Sequence, residues 1–301
     1  MRDEIPDPAD AARSAIEEAS QALLAVARMQ EEIDQLKDEI NNLRRRDETL
    51  NHYMTRLDDE LRLAARLQQD FLPKTLPQVG DVYFHSLFRP AGYVSGDLYN
   101  VMRLDEAHIG FYMADAVGHG MPAALLTMFI KNALTTKEIT PHGYRLLNPG
   151  EALQRLNEAL LEQNLTQATF ATAFYATINV QTLVCRYARA GHPCPLLMRE
   201  DGSMQAVNAD GGLLGIFPDE IYANGEVQLR HGDRLFVFSD GIEVAFAEDQ
   251  VLDTMQWRAE LQQRRHLSAE QLLMELSEHF DRELGSLQPK DDVSMIVLEI
   301  K

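Results

Sequence analysis

The sequence predicts an α+β fold: a layered sandwich of sheets and helices, preceded by one long helix that forms a coiled coil. Three observations carry this. A heptad rhythm without glycine or proline fills the N-terminal region, short apolar runs bounded by turn residues alternate with amphipathic stretches through the rest, and two prolines separate the regimes. The totals agree. With 301 residues, 45% hydrophobic and 25% charged, the chain has ordinary globular composition. A formal net charge of -19 disfavours nucleic acid or an anionic membrane surface as partner, because like charges repel, and leaves divalent cations open.

No basic segment followed by an apolar one opens the sequence, and no apolar run reaches a membrane span, so the expected location is cytoplasmic. Cys185 and Cys194 lack metal spacing and are expected as reduced, packed thiols of that compartment.

Residues 1–14, with Pro6, Pro8 and several acids, read as a flexible leader. Residues 15–72 read as a dimerisation and regulatory helix. Ile33 and Ile40 at a, with Leu36, Leu43, Leu50 and Leu57 at d, favour a parallel two-stranded coiled coil and hence a homodimer. Asp47 and Gln68 interrupt this seam at a positions. In a symmetric dimer Asp47 faces its own copy, which marks a weak point that Arg44, Arg45 and Arg46 can relieve. An antiparallel hairpin is the alternative, with Asn41-Asn42 as its one plausible break. Pro73 and Pro77 end the helix, and residues 73–301 form the second domain.

In that domain, strands are expected at Val82–Phe88, Leu98–Leu104, Ile109–Ala114, Phe170–Ile178, Leu183–Ala188, Val227–Leu229, Arg234–Ser239 and Val293–Ile300. Helices are expected at Met121–Leu134, Pro149–Asn164 and Ala269–Leu284. Pro122 suits a first helical turn.

Asp97, Asp115, Asp240 and Asp292 each stand where an apolar strand starts or stops, beside glycine or another acid. One such acid is an ordinary turn former. Four of them meet if their strands are neighbours, and converged carboxylates repel unless cations compensate. Two divalent ions would do so, acidify a bridging water and clamp a phosphoryl group. Without zinc spacing, all-oxygen ligation points to Mg²⁺ or Mn²⁺. Gly118, Gly120 and Gly241 read as backbone-shaping, His119 and His192 as structural hydrogen-bonders, and Arg89 as a phosphate contact.

The segments AARLQQDFLPKTLP, SGDLYNV, ADAVGHGMPAALL, ATAFYATI, ARAGHPCPLL, GGLLGIFPD, GDRLFVFSDGIEVAF and PKDDVSMIVL carry a resemblance. From Ala64 onward the chain resembles the metal-dependent serine/threonine protein phosphatases (PPM, type 2C class), in the bacterial branch of the SpoIIE and RsbU phosphatases. The resemblance implies an αββα sandwich, a central pair of sheets flanked by helices, over 73–301. It implies two metal ions, Mn²⁺ or Mg²⁺, with Asp115 bridging both and the Ala116 carbonyl binding one. By the same likeness Asp97, Asp240 and Asp292 complete the ligand set, and a metal-activated water attacks phosphorus. The substrate it implies is a phosphorylated anti-sigma-factor antagonist, a STAS-domain protein of a partner-switching pathway. An upstream regulator acting on the coil is expected as well. Ser95-Gly96-Asp97 departs from the family's usual Gly-Gly-Asp, but no acid is missing. Two alternatives stay open: a non-catalytic coiled-coil adaptor that binds phosphoprotein, and a hydrolase of small phosphate compounds.

Overall fold

The computed structural model describes residues 8–141, 143–165, 169–246, 254–284 and 291–301. Part of the expected leader, residues 1–7, lies outside the described residues. The chain divides into two compact units, Met1–Glu60 and Leu61–Lys301.

The first unit is helical. Helix α1 (Pro8–Phe71) begins inside the stretch read as leader; proline is tolerated in a first turn, where its N–H would have no helical acceptor anyway. Ile33, Leu36, Ile40, Leu43, Leu50 and Leu57 are all exposed, so the seam is an unpartnered apolar stripe on a single chain. Asp47 accepts a hydrogen bond from Asn51 one turn on, at 3.3 Å.

The last turns of α1, from Leu61 on, belong with the second compact unit. The reason is burial. Leu61, Ala64 and Ala65 are half-buried and Gln68 is buried, all on one helical face. Gln68 thus faces the interior of its own second unit, not a coiled-coil partner.

Among the described residues, twelve strands follow: β1 (Val82–Arg89), β2 (Asp97–Arg103), β3 (His108–Ala116), β4 (Lys137–Thr140), β5 (Gly143–Leu146), β6 (Ala171–Asn179), β7 (Val184–Ala190), β8 (Leu196–Met198), β9 (Met204–Ala206), β10 (Gly225–Gln228), β11 (Arg234–Phe238) and β12 (Val293–Ile300). Helices α2 (Met121–Ala133), α3 (Pro149–Glu162), α4 (Asp240–Phe246), α5 (Thr254–Gln263) and α6 (Ala269–Leu284) are interspersed. Sheet A runs β1-β12-β11-β8-β9, sheet B runs β10-β7-β6-β3-β2, and β4-β5 form a small hairpin. The ladders between these strands are antiparallel.

Alternation along the strands builds the layers. Phe111, Met113, Phe174 and Ile178 of sheet B meet Phe84, Leu235, Val237 and Ile296 of sheet A in one buried cluster between the sheets. The alternate residues Tyr112, Ala114, Ala173 and Tyr175 pack outward under α2 and α3. Phe236, Phe238 and Met295 pack outward with Trp257 of α5 and Leu272 and Leu276 of α6. The result is the expected αββα order. Cys185 and Cys194 are free thiols, the first buried and the second half-buried.

Candidate metal centre

Strand parity brings the acids together. Asp97 is in phase with Tyr99 and Val101 in β2, and Asp115 with Phe111 and Met113 in β3, so both series face the space between the sheets. The register sets Asp97 opposite Asp115, and Asp115 opposite Thr172 of β6. Three neighbouring strands therefore present oxygen-bearing side chains side by side. Sheet A reaches the same end: β11 finishes one residue before Ser239, Asp240 opens α4, and Asp291-Asp292 leads into β12. Asp115, Ala116, Thr172, Asp240, Asp291 and Asp292 line one open cavity of about 820 Å³, together with His119 and Tyr93. Asp97 is buried behind it.

Local geometry explains why this sequence builds the junction. Gly118 takes φ of 88°, a left-handed conformation that lets the chain turn from β3 toward α2 without a Cβ penalty. At Gly241 a Cβ would lie 1.9 Å from the Asp292 carbonyl, so only glycine lets α4 start this close to the approach to β12. Asp292 Oδ1 accepts the Ala91 amide at 2.6 Å and Oδ2 accepts the Gly96 amide at 2.7 Å. Its carboxylate thus joins the end of β1 to the Ser95-Gly96-Asp97 turn. The same turn is held from α1: Gln68 Nε2 donates to the Ser95 carbonyl at 2.7 Å, and the Ser95 amide donates to Gln68 Oε1 at 2.8 Å.

The charges are frustrated. Burial, then the neighbouring Asp115 and Asp292, hold Asp97 well above the usual carboxylate range. Its buried Oδ2 has no hydrogen-bond partner. Burial, followed by Asp240, Asp291 and Asp292, pushes Asp115 up to about 8. Asp240 is raised by burial and then by Asp291. Such a set lacks positive charge, and hard divalent cations with oxygen ligands supply it. Among the described residues, no three His, Cys, Asp or Glu side chains are already drawn together around one point. The donors fit by type and charge; bound cations would close them.

Other sequence expectations meet the structure unequally. Arg89 is not available to phosphate: its Nη1 donates to the Ser277 carbonyl at 2.7 Å and its Nη2 bonds Asp281, both on α6. His192 is buried and bonded to Thr172, as a structural histidine should be, whereas His119 lines the cavity. Asp291 was visible only as the neighbour of Asp292, and Thr172 only as a residue of a strand; β-ladder register is the signal that places the latter beside Asp115.

A double antiparallel sandwich with crowded carboxylates at one end defines a class, that of the PP2C-type serine/threonine protein phosphatases. Comparison with known proteins agrees. Residues 105–301 match the family described as Stage II sporulation protein E (SpoIIE). The chain is similar to phosphoserine phosphatase RsbU of Bacillus subtilis (strain 168), with 30% identity over 255 residues, covering 84% of this chain and 74% of that protein. Among solved structures, the SiaA-PP2C domain of Pseudomonas aeruginosa superposes with a TM-score of 0.69 at 19% identity, covering 82% of this chain and 98% of that one. RsbX in complex with magnesium gives 0.54 at 18% identity, covering 75% and 99%. These two structures establish the fold. The chain belongs to the SpoIIE family, a metal-dependent family of PP2C-like phosphatases.

Proposed function

We propose that this protein hydrolyses phosphoserine or phosphothreonine on a small protein substrate, a STAS-type anti-sigma-factor antagonist, with two Mn²⁺ or Mg²⁺ ions. The observation that carries the reading is the set of carboxylates at the sandwich end whose pKa values are raised by burial and by one another. The likeness to a phosphoserine phosphatase named RsbU supports the substrate class.

Bound divalent ions supply an acidified water and charge for the phosphoryl oxygens. The chain's own residues hold them. Asp115, Asp240 and the Ala116 carbonyl line the cavity, and Asp97 brings an unpaired buried oxygen from behind. At the DD segment the geometry favours Asp291 over Asp292 as the ligand. Both line the cavity and act electrostatically on Asp115 and Asp240, but Asp292 has both oxygens engaged by amides, whereas Asp291 has one, Oδ1, which accepts the Asp292 amide at 2.8 Å. Asp292 then serves to fix the Ser95-Gly96-Asp97 turn.

The coil, residues 15 to 60, joins two chains through its exposed heptad seam. Regulation runs through Gln68. Its two hydrogen bonds tie the helix to the turn that carries Asp97, so a partner that shifts α1 shifts a ligand. The test is phosphate release from a phosphoserine peptide, with and without Mn²⁺, for the full chain and Asp240→Asn. Metal-dependent turnover lost in the variant is expected. Binding of phosphopeptide without turnover, in protein shown to load metal, would instead support the adaptor reading.

A further inference from the structure

The far end of sheet B holds another cavity, of about 600 Å³, that the phosphatase reading does not use. His108 on its lining begins β3, and at the usual strand rise Asp115 lies on the order of 20 Å further along the same strand. Parity aims side chains into this space. Thr177 is in phase with Tyr175 and Ala173, which pack on the outer face of the sheet. Register sets Thr177 opposite Arg186 of β7, and Arg186 opposite Glu226 of β10. A hydroxyl, a guanidinium and a carboxylate therefore stand in one row across three strands, and Tyr144 of β5 and Asn148 before α3 line the same cavity.

The walls are already fixed. Asn179 Oδ1 accepts the Gln181 and Thr182 amides at 3.0 and 2.9 Å, which leaves its Nδ2 facing His108 Nε2 at 3.2 Å. An amide nitrogen only donates, so the other ring nitrogen carries the His108 proton and donates to Asp105 Oδ1 at 2.9 Å. Arg145 grips both Glu151 oxygens at 2.7 and 2.8 Å, tying the β4–β5 hairpin to α3. Several polar groups are left over. Thr177, at 9% exposure, makes no side-chain hydrogen bond among the described residues. Arg186 uses only Nε, which donates to Glu226 at 2.8 Å, and among the same residues both Nη groups stay open. Asn148 holds the N-cap position of α3 without a side-chain cap, and Asn224 accepts the Gly150 amide instead.

The charges select the occupant. A buried hydroxyl without a partner is costly, so the cavity favours a ligand that brings hydrogen-bonding groups of its own. A simple anion meets Asp105 and Glu226, and a simple cation meets Arg186. A molecule bearing both charges answers both. We propose that this cavity binds a free α-amino acid, with its carboxylate on the Arg186 Nη groups and the Thr177 hydroxyl and its ammonium toward Glu226 and Asp105. Tyr144 offers a wall for the side chain. The site is separate from the metal centre and does not depend on the phosphatase reading.

The test offers the standard L-amino acids one at a time to the full chain, kept metal-free with EDTA. Saturation-transfer NMR detects binding and calorimetry measures it. At least one should bind saturably, one per chain. Its methyl ester and its N-acetyl derivative, each lacking one charge, should bind ~10–100-fold more weakly. Arg186→Gln, at a position exposed enough to leave the fold intact, should weaken binding over the same range, and Thr177→Val by ~2–10-fold. Asp115→Asn should leave the affinity unchanged, which separates this cavity from the metal centre. No saturable binding by any of the amino acids would overturn the assignment, as would equal binding of the singly charged derivatives or full affinity in Arg186→Gln. Turnover enters none of these readouts, so their failure leaves the phosphatase reading standing.

Discussion

From sheet B, Asp97 and Asp115 face each other across the β2–β3 ladder, each pushed above its normal range by burial and by like charge. From the other sheet, Asp292 arrives with both oxygens already holding the Ala91 and Gly96 amides. One sheet contributes carboxylates that lack partners, and the other contributes a carboxylate that has them. The difference separates two uses of one residue type. An acid with satisfied oxygens shapes the backbone, while one held without donors waits for a cation.

Four measurements sharpen or break this contrast. The largest effect is expected for Asp115→Asn, which should lower metal-dependent turnover by more than ~10²-fold, since even outer partners of a ligand cost up to that much. The same substitution should raise the melting temperature of the metal-free protein at pH 8, because it removes a carboxylate that folding disfavours; a lowered one would break the contrast. Next, Asp292→Asn should destabilise the fold by ~1–3 kcal/mol, as its amide group cannot accept two backbone N–H bonds. Asp291→Asn should leave the melting temperature nearly unchanged and weaken Mn²⁺ binding. Equal behaviour of the two variants in melting and titration would erase the distinction.

A smaller loss, ~1–2 kcal/mol, is expected for Gln68→Ala, which leaves the buried Ser95 carbonyl and amide unpaired. Chemical denaturation reads it. The pH effect tests the same contrast in a different way. The folded Asp115 keeps its proton up to about 8, whereas the unfolded chain releases it near the ordinary carboxyl value of 3.8. Between those values the native state binds more protons, so metal-free stability falls as pH rises. Mn²⁺ displaces that proton, so its stabilising shift in melting temperature should grow across the window. A shift independent of pH would contradict the raised Asp115.

Much of the central sandwich was legible because its strands alternate apolar residues toward two covered faces. Val293–Ile300 and Ala269–Leu284 match the expected bounds, as their patterns stop at abrupt changes of composition. The β4–β5 hairpin escaped notice because it buries little; Ile139 is 89% exposed, so no alternation marks it. Helix α4 was hidden because it starts directly after the β11 run, with Asp240 itself in its first turn. At the site, acids at strand ends announced themselves by position. The division of labour between adjacent Asp291 and Asp292 did not, because it depends on which amides lie within reach. Arg89 misled for a similar reason: a cation near the end of β1 suits phosphate until α6 is seen to engage it. Gln68 kept the helical rhythm, but rhythm specifies a buried face and not what covers it.

Sheet A places β12 between β1 and β11, and Val82 pairs with Ile300. During synthesis β1 therefore emerges long before the strand that completes its ladder, and its apolar residues must wait while nearly the whole domain is made. Long-range pairing of this kind is slow and leaves nascent chains prone to association. It also imposes a temporal safeguard: Asp291 and Asp292 arrive with the same late strand, so a ribosome-bound fragment ending before them has neither the bridge to Gly96 nor the full set of cavity acids.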